Sequence, residues 1–343
     1  MDVKELFHAL ADRMPWLHVG RLILLDAGIQ TSRGWDRSIP SEVSEEDKDK
    51  LIAHLQQHQV AGEKALQFFR LSRQQKQAIE EVASSRRAPA SAFKEAYPLP
   101  VSNSEMAKLE PDDPSMVTRL STNQGIALIF ASLRTFTERI KVPSSDLKES
   151  RRGEYEEVIG IRRRKVRAFD ALWIPRQGNY VCSAVDFPFD APQDFPESGQ
   201  AYMRKQISTM LGSVVEPTNF WKAVDGLYRS RDGRVVELGF ATDNAGVKHL
   251  KSRSGGRCIR QDLYHRGGSA AVHDEITPFR ISVQWDLAGV RDNPARLELA
   301  LHGVSRMLYE PKSHIGTAVL RGGFSSSHIA FVLEKLNSAI DGE

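Results

Sequence analysis

The hydrophobic positions of this 343-residue chain change period about halfway along it. In residues 3–14, Leu6, Leu10 and Met14 recur at i, i+4 and i+8, which predicts a short amphipathic helix. Residues 20–29 form a compact apolar run suited to a strand or a buried helix, and the polar stretch after it to Pro40 reads as loop. Ser44 with Asp47, and Ser72 with Gln75, place a hydroxyl three residues ahead of a side chain able to return the hydrogen bond. Those capping boxes predict helices from about 45 to 59 and from 72 to 83, with another helix over 62–71 between them. Closely spaced helices would permit a helix-turn-helix, although a plain bundle is the commoner result. Five prolines among the serines and alanines of residues 84–115 predict a linker. Beyond it, Ile126, Ile129, Phe130, Leu133, Phe136 and Ile140 recur at helical spacing and predict the strongest helix of the chain, stopped by Pro143.

From about residue 155 the period becomes two. Residues 166–174 and 180–187 flank Pro175 and Gly178, which predicts a hairpin. Residues 198–212 and 220–227 read as helices, and 234–242 and 258–264 as strands with a loop between them. Phe279, Ile281, Val283 and Trp285 alternate with polar residues, as Leu297, Leu299 and Leu301 do, so both runs read as half-buried strands. A final helix begins near Ser325 and carries Ile329, Val332, Leu333, Leu336 and Ile340 on one side. The expected fold class is therefore α+β: a helical domain over residues 1–110, then an α+β domain over 111–343 with a largely antiparallel sheet and a closing C-terminal helix.

Composition narrows the setting more than the function. With 41% hydrophobic and 27% charged residues the chain reads as globular and able to bury a core. No run of about 18 apolar residues predicts a membrane helix. Asp2 and Glu5 without a following apolar run argue against a secretory signal. Two cysteines, Cys182 and Cys258, are too few for a disulfide framework or a cysteine-held zinc, so a reducing, cytoplasmic setting is expected.

Charge changes the picture locally. Residues 1–150 hold 20 Lys and Arg against 21 Asp and Glu, whereas residues 151–343 hold 27 against 23. Within the second half, residues 246–266 place Lys248, Lys251, Arg253, Arg257, Arg260 and Arg266 against the single acid Asp262, with His249, His265 and Tyr264 interspersed. Such crowding costs self-repulsion unless a polyanion or solvent screens it. Lys248, Lys251, Arg253, Arg257 and Arg260 are therefore the candidate phosphate contacts, with Arg163 and Arg164 of a second basic run in support. Tyr264 is the aromatic best placed to stack on a base, since Trp173 and Trp285 lie in strand patterns that suit the core.

Three diglycines adjoin an arginine: Gly255-Gly256, Gly267-Gly268 and Gly322-Gly323. The last, with Arg321, follows an apolar run and precedes the final helix, so Arg321, Gly322 and Gly323 are candidates for a phosphate nest at a helix start. Asp170 and Asp186 fall on adjacent strands of the expected hairpin, the way many metal-dependent nucleases present carboxylates. However, the lysine expected two residues after the second acid is replaced by Pro188. His54 and His58 share a helical face at i, i+4 but lack the glutamate of a metalloprotease motif, and His273, Asp274 and Glu275 with His265 form a second ligand-like group. No Walker, dinucleotide or nucleophile-elbow motif is complete. The expectation is thus no catalytic residues, no metal site and no cofactor. The chain reads as a non-catalytic, nucleic-acid-associated subunit, binding DNA or RNA, with a protein partner and no membrane contact. A bacterial multi-component system such as genome defence is one setting that would use it. A divalent-metal nuclease built on Asp170 and Asp186, and a protein–protein adaptor with a basic docking loop, are the alternatives.

Overall fold

A computed structural model describes residues 2–40, 42–110, 113–151, 153–242, 246–253, 256–271, 276–290 and 293–342. The N-terminal part contains helices α1 (Val3–Arg13), α2 (Arg21–Asp26) and α3 (Glu45–Ala61), then strand β1 (Lys64–Arg70) and helices α4 (Arg73–Ser85), α5 (Ala92–Ala96) and α6 (Asn103–Lys108). Strands β2 (Ser115–Ser121), β3 (Gly125–Lys141), β4 (Ile159–Pro175) and β5 (Tyr180–Asp186) follow. After helices α7 (Glu197–Leu211) and α8 (Trp221–Arg229) come β6 (Arg234–Thr242), β7 (Val247–Lys251), helix α9 (Leu263–Ala271), β8 (Ile276–Val290), β9 (Asn293–His302), β10 (Ala318–Arg321) and the closing helix α10 (Ser326–Asp341). The architecture is α+β. One antiparallel sheet runs in the order β2-β3-β4-β5-β1-β10-β9-β8-β6-β7.

Both faces of the sheet carry apolar side chains. Leu66, Phe68, Ile129, Trp173, Leu299 and Leu301 point to the side covered by α8 and α10. Phe69, Phe130, Leu172 and Val185 point to the other side, against Ile79 of α4 and Met203 and Ile207 of α7. A third core joins α1, α2 and the first half of α3 through Leu6, Phe7, Leu10, Ile23, Leu51 and Leu55.

Two expectations are overturned by this two-sided burial. The stretch expected to be the strongest helix is β3, a 17-residue strand paired with β4 along its whole length. Helical spacing picks out Ile126, Ile129, Phe130 and Leu133, but Ala127, Leu128 and Ala131 between them are buried as well. A segment apolar on both faces and rich in β-branched and aromatic residues suits a central strand better than an amphipathic helix. Likewise 62–71 holds strand β1, which sits mid-sheet between β5 and β10. Its presence removes the helix-turn-helix geometry, and it means that residues 1–110 contribute to the same sheet as residues 111–343.

Capping is where local sequence and structure agree most closely. Ser44 accepts the Asp47 N–H at the start of α3, and the reciprocal Ser72–Gln75 box opens α4. The expected strand over 258–264 is instead a 3-10 turn followed by α9. Asp262 explains the switch: its Oδ1 accepts the His265 N–H at 2.9 Å, an N-terminal cap that commits the next residues to helix.

Candidate functional site

The basic segment lies at one edge of the sheet. Among the described residues β7 pairs with β6 alone, and Lys248, Arg253 and Arg257 on β7 and the turn after it are exposed. Among the described residues none of these three has an ion-pair partner. Lys251 stands 3.9 Å from Glu237, a loose exposed contact. Arg260 differs: it turns inward, donating to the Gly233 carbonyl at 2.5 Å and to Cys258 Sγ at 3.3 Å. It therefore anchors the turn to the β6 end and is not a free cation, contrary to its expected role. Gly255 lies outside the described residues.

Beside this edge, α9 and the strand ends enclose a cavity of 510 Å³ with Phe240, Leu250 and Ile276 on its apolar walls and Lys248 and Tyr264 at its margin. Tyr264 is 76% exposed, whereas His265 next to it is buried and meets the Tyr228 hydroxyl at 2.9 Å through Nε2. Burial lowers the pKa of His265 against the opposing pull of Asp262. Trp173 and Trp285 are core residues.

The second basic run lies elsewhere. Arg163 and Arg164 belong to β4, third in the sheet, while β7 is tenth. Seven strand spacings of about 4.8 Å separate them, too many for one phosphate track to cover both as a single patch. Arg164 is paired with Asp190, and Arg162 with Glu138. Arg163 is exposed without an ion pair among the described residues.

The diglycine nest has the expected shape and an internal occupant. Gly322 adopts φ +71°, and its N–H donates to Glu63 Oε1 at 3.0 Å, while Arg321 grips Glu63 Oε2 at 2.9 Å. At the start of α10 the Ser326 N–H is taken by Gln57. Arg321, Gly322 and Gly323 thus hold a carboxylate of the chain itself where an outside phosphate was expected.

Asp170 and Asp186 are brought together, but back to back. Asp170 follows Leu172 and Ile174 on the face covered by α4 and α7, and its Oδ2 meets Arg134. Asp186 follows Ala184 and Cys182 on the opposite face, where Arg13 binds both its oxygens at 2.9 and 3.0 Å and Lys64 reaches Oδ1 at 2.6 Å. The β4–β5 ladder ends at Ala171↔Ala184, and side chains mend it beyond that point. The Asp186 N–H donates to Asp170 Oδ1 at 2.9 Å, the Phe169 N–H donates to Asp186 Oδ2 at 2.6 Å, and Lys64 donates to the Phe169 carbonyl at 2.5 Å. Burial pushes the Asp170 carboxyl up against the pull of Arg134. It would raise Asp186 too, but Arg13 and Lys64 override it and hold Asp186 well below the usual carboxylate range. Every oxygen of the pair has a partner, and the two carboxylates face apart, so the geometry offers no shared metal position between them.

His54 and His58 also part company. His54 Nε2 meets Asp26 at 2.8 Å near the surface, whereas His58 is buried beside the Arg13–Asp186 pair with neither ring nitrogen hydrogen-bonded. His273, Asp274 and Glu275 lie outside the described residues. Sequence patterning misses Arg13, Lys64 and Arg134, the cations that complete this buried cluster. The one local sign is Lys64, which opens an otherwise apolar strand. The chain matches no protein family and no curated protein, which leaves geometry and chemistry as the grounds for a functional reading.

Proposed function

We propose that the chain is a non-catalytic binding protein that holds single-stranded nucleic acid along its β7 edge. The observation that carries this reading is the exposure of Lys248, Arg253 and Arg257 without ion-pair partners among the described residues, with Lys248 lining the same cavity as the exposed Tyr264. Unpaired surface cations cost little while hydrated and gain counterion-release free energy when they meet phosphates. A flexible single strand can lay its backbone on the cations while a base stacks on Tyr264, a contact typically worth about 1–3 kcal/mol. The adjoining cavity, with Phe240, Leu250 and Ile276, offers an apolar face for that base. Arg260 serves this site by fixing the turn, and Lys251 adds charge at the rim.

The test is retention of a labelled thymidine or uridine oligomer at low salt by the wild type and by a Lys248→Glu, Arg253→Glu, Arg257→Glu variant. Wild-type retention that disappears in the folded triple variant is expected; equal retention by both would refute the proposal. A second reading draws on the outer edge of β7, which no described strand pairs with: an acidic partner protein could add a strand there, with Lys248 and Lys251 meeting its carboxylates. Salt-sensitive binding to a protein, with no oligomer retention, would favour that adaptor role. The self-contained bonding of Asp170 and Asp186 gives the nuclease alternative no support.

A further inference from the structure

We propose that the cavity between the outer edge of β3 and the start of α7 binds the phosphate group of a small molecule. The β2–β3 ladder stops at Ser115↔Ala131, so the following stretch of β3 lines a cavity of 1040 Å³ where a neighbouring strand would otherwise lie. Two polar side chains on that stretch are deeply buried and incompletely bonded. Ser132 is 3% exposed and its Oγ has no hydrogen-bond partner. Arg134 is 8% exposed; Nη2 is committed to Asp170, but Nη1 has no partner. Ser132 and Arg134 are two residues apart on one strand, so both project to the same face, and both line the cavity. Burying such donors without an acceptor is unfavourable, and an oxyanion would satisfy the two together.

Helix α7 supplies the third set of donors. It is 15 residues long, starts at the cavity wall, and its first turn has no side-chain cap, because Pro196 occupies the capping position. Ser198 and Gly199 of this uncapped first turn line the cavity at the positive end of the helix dipole. Gly199 is required by the geometry: a Cβ there would stand 2.2 Å from Arg134 Nη2, so any larger residue would drive the guanidinium away from the helix start. Charge points the same way: Arg163, exposed and without an ion pair among the described residues, also lines the cavity.

Asp113, Asp194 and Glu197 stand at the rim, all exposed and screened by water. They cannot hold the phosphate but can accept hydrogen bonds from hydroxyl groups carried beside it. Phe136 and Phe195 give the cavity an apolar wall. The site is independent of the β7 edge and does not rest on the nucleic-acid reading.

Titration calorimetry of the full-length protein with inorganic phosphate and with ribose 5-phosphate tests the proposal. Saturable binding is expected, weakened roughly tenfold or more in Ser132→Ala, the size expected for losing one hydrogen bond to a charged group. That variant removes a hydroxyl with no partner of its own and should fold normally. Tighter binding of ribose 5-phosphate would identify a phosphate ester as the ligand, and equal binding would identify free phosphate. Absence of saturable binding by both compounds, or unchanged affinity in Ser132→Ala, would overturn the proposal.

Discussion

The charge cluster at the β4–β5 splay and the basic edge at β7 use the same kinds of side chain to opposite ends. Arg13, Lys64 and Arg134 are desolvated and locked onto Asp170 and Asp186, whose carboxylates, together with Lys64, replace a missing piece of the strand ladder. Lys248, Arg253 and Arg257 are hydrated and uncommitted among the described residues. A buried charge is tolerable only when it is paired, and the pairing then fixes structure; an exposed charge contributes little to the fold and stays free to meet a partner. The difference separates scaffold from surface more sharply than residue type does.

The largest effect should come from breaking the buried side. Asp186→Ala strips the partner from Arg13, Lys64 and the Phe169 N–H at once, and a urea titration should show a loss of about 3–5 kcal/mol. A loss below about 1 kcal/mol would mean that the cluster is dispensable.

Acid should press on the same side. Burial, reinforced by Arg13 and Lys64, holds the His58 pKa well below 6.5, and burial lowers His328 to about 4. A histidine depressed in the folded state lends stability above its unfolded pKa and loses it as pH falls through the folded value. Stability should therefore drop between pH 6.5 and 4, by up to about 3 kcal/mol for His328 alone. The drop should be shallower in His328→Phe, as followed by denaturant titration at each pH. A flat profile would contradict the burial assigned to these rings.

At the exposed edge, Lys248→Gln, Arg253→Gln and Arg257→Gln together should shift folding stability by no more than about 0.5 kcal/mol per site. A larger loss would show that these cations serve the fold after all. The smallest effect is expected from Mg²⁺ or Mn²⁺, which should leave the thermal midpoint unchanged because the oxygens of Asp170 and Asp186 already have partners. A clear rise on adding either ion would reopen a metal role for the pair.

What the sequence discloses follows from the same contrast. A crowd of cations in one short stretch is visible without coordinates, as are the Ser72–Gln75 cap, the 175–179 turn and the alternation of β8. The buried cluster is not, because its members come from α1, β1, β3, β4 and β5 and only the sheet order brings them together. Strands β1 and β3 pass for helices for a related reason. Burial on both faces erases the alternation by which a strand is recognised, and helical spacing can then be found by coincidence among the apolar positions. Arg260 and the Arg321 nest show the limit in reverse: their chemistry is legible, but the internal acceptors that occupy them, the Gly233 carbonyl and the Glu63 carboxylate, lie far away along the chain.

The most direct measurement is the affinity for a single-stranded oligomer as a function of salt, for the wild type and for the variant with Gln at positions 248, 253 and 257. Every phosphate that no longer meets a cation should flatten the log–log slope by about 0.7, so removing three cations should reduce it by about 2. An identical slope in the two proteins, or wild-type binding indifferent to salt, would contradict a β7 edge that grips a polyanion.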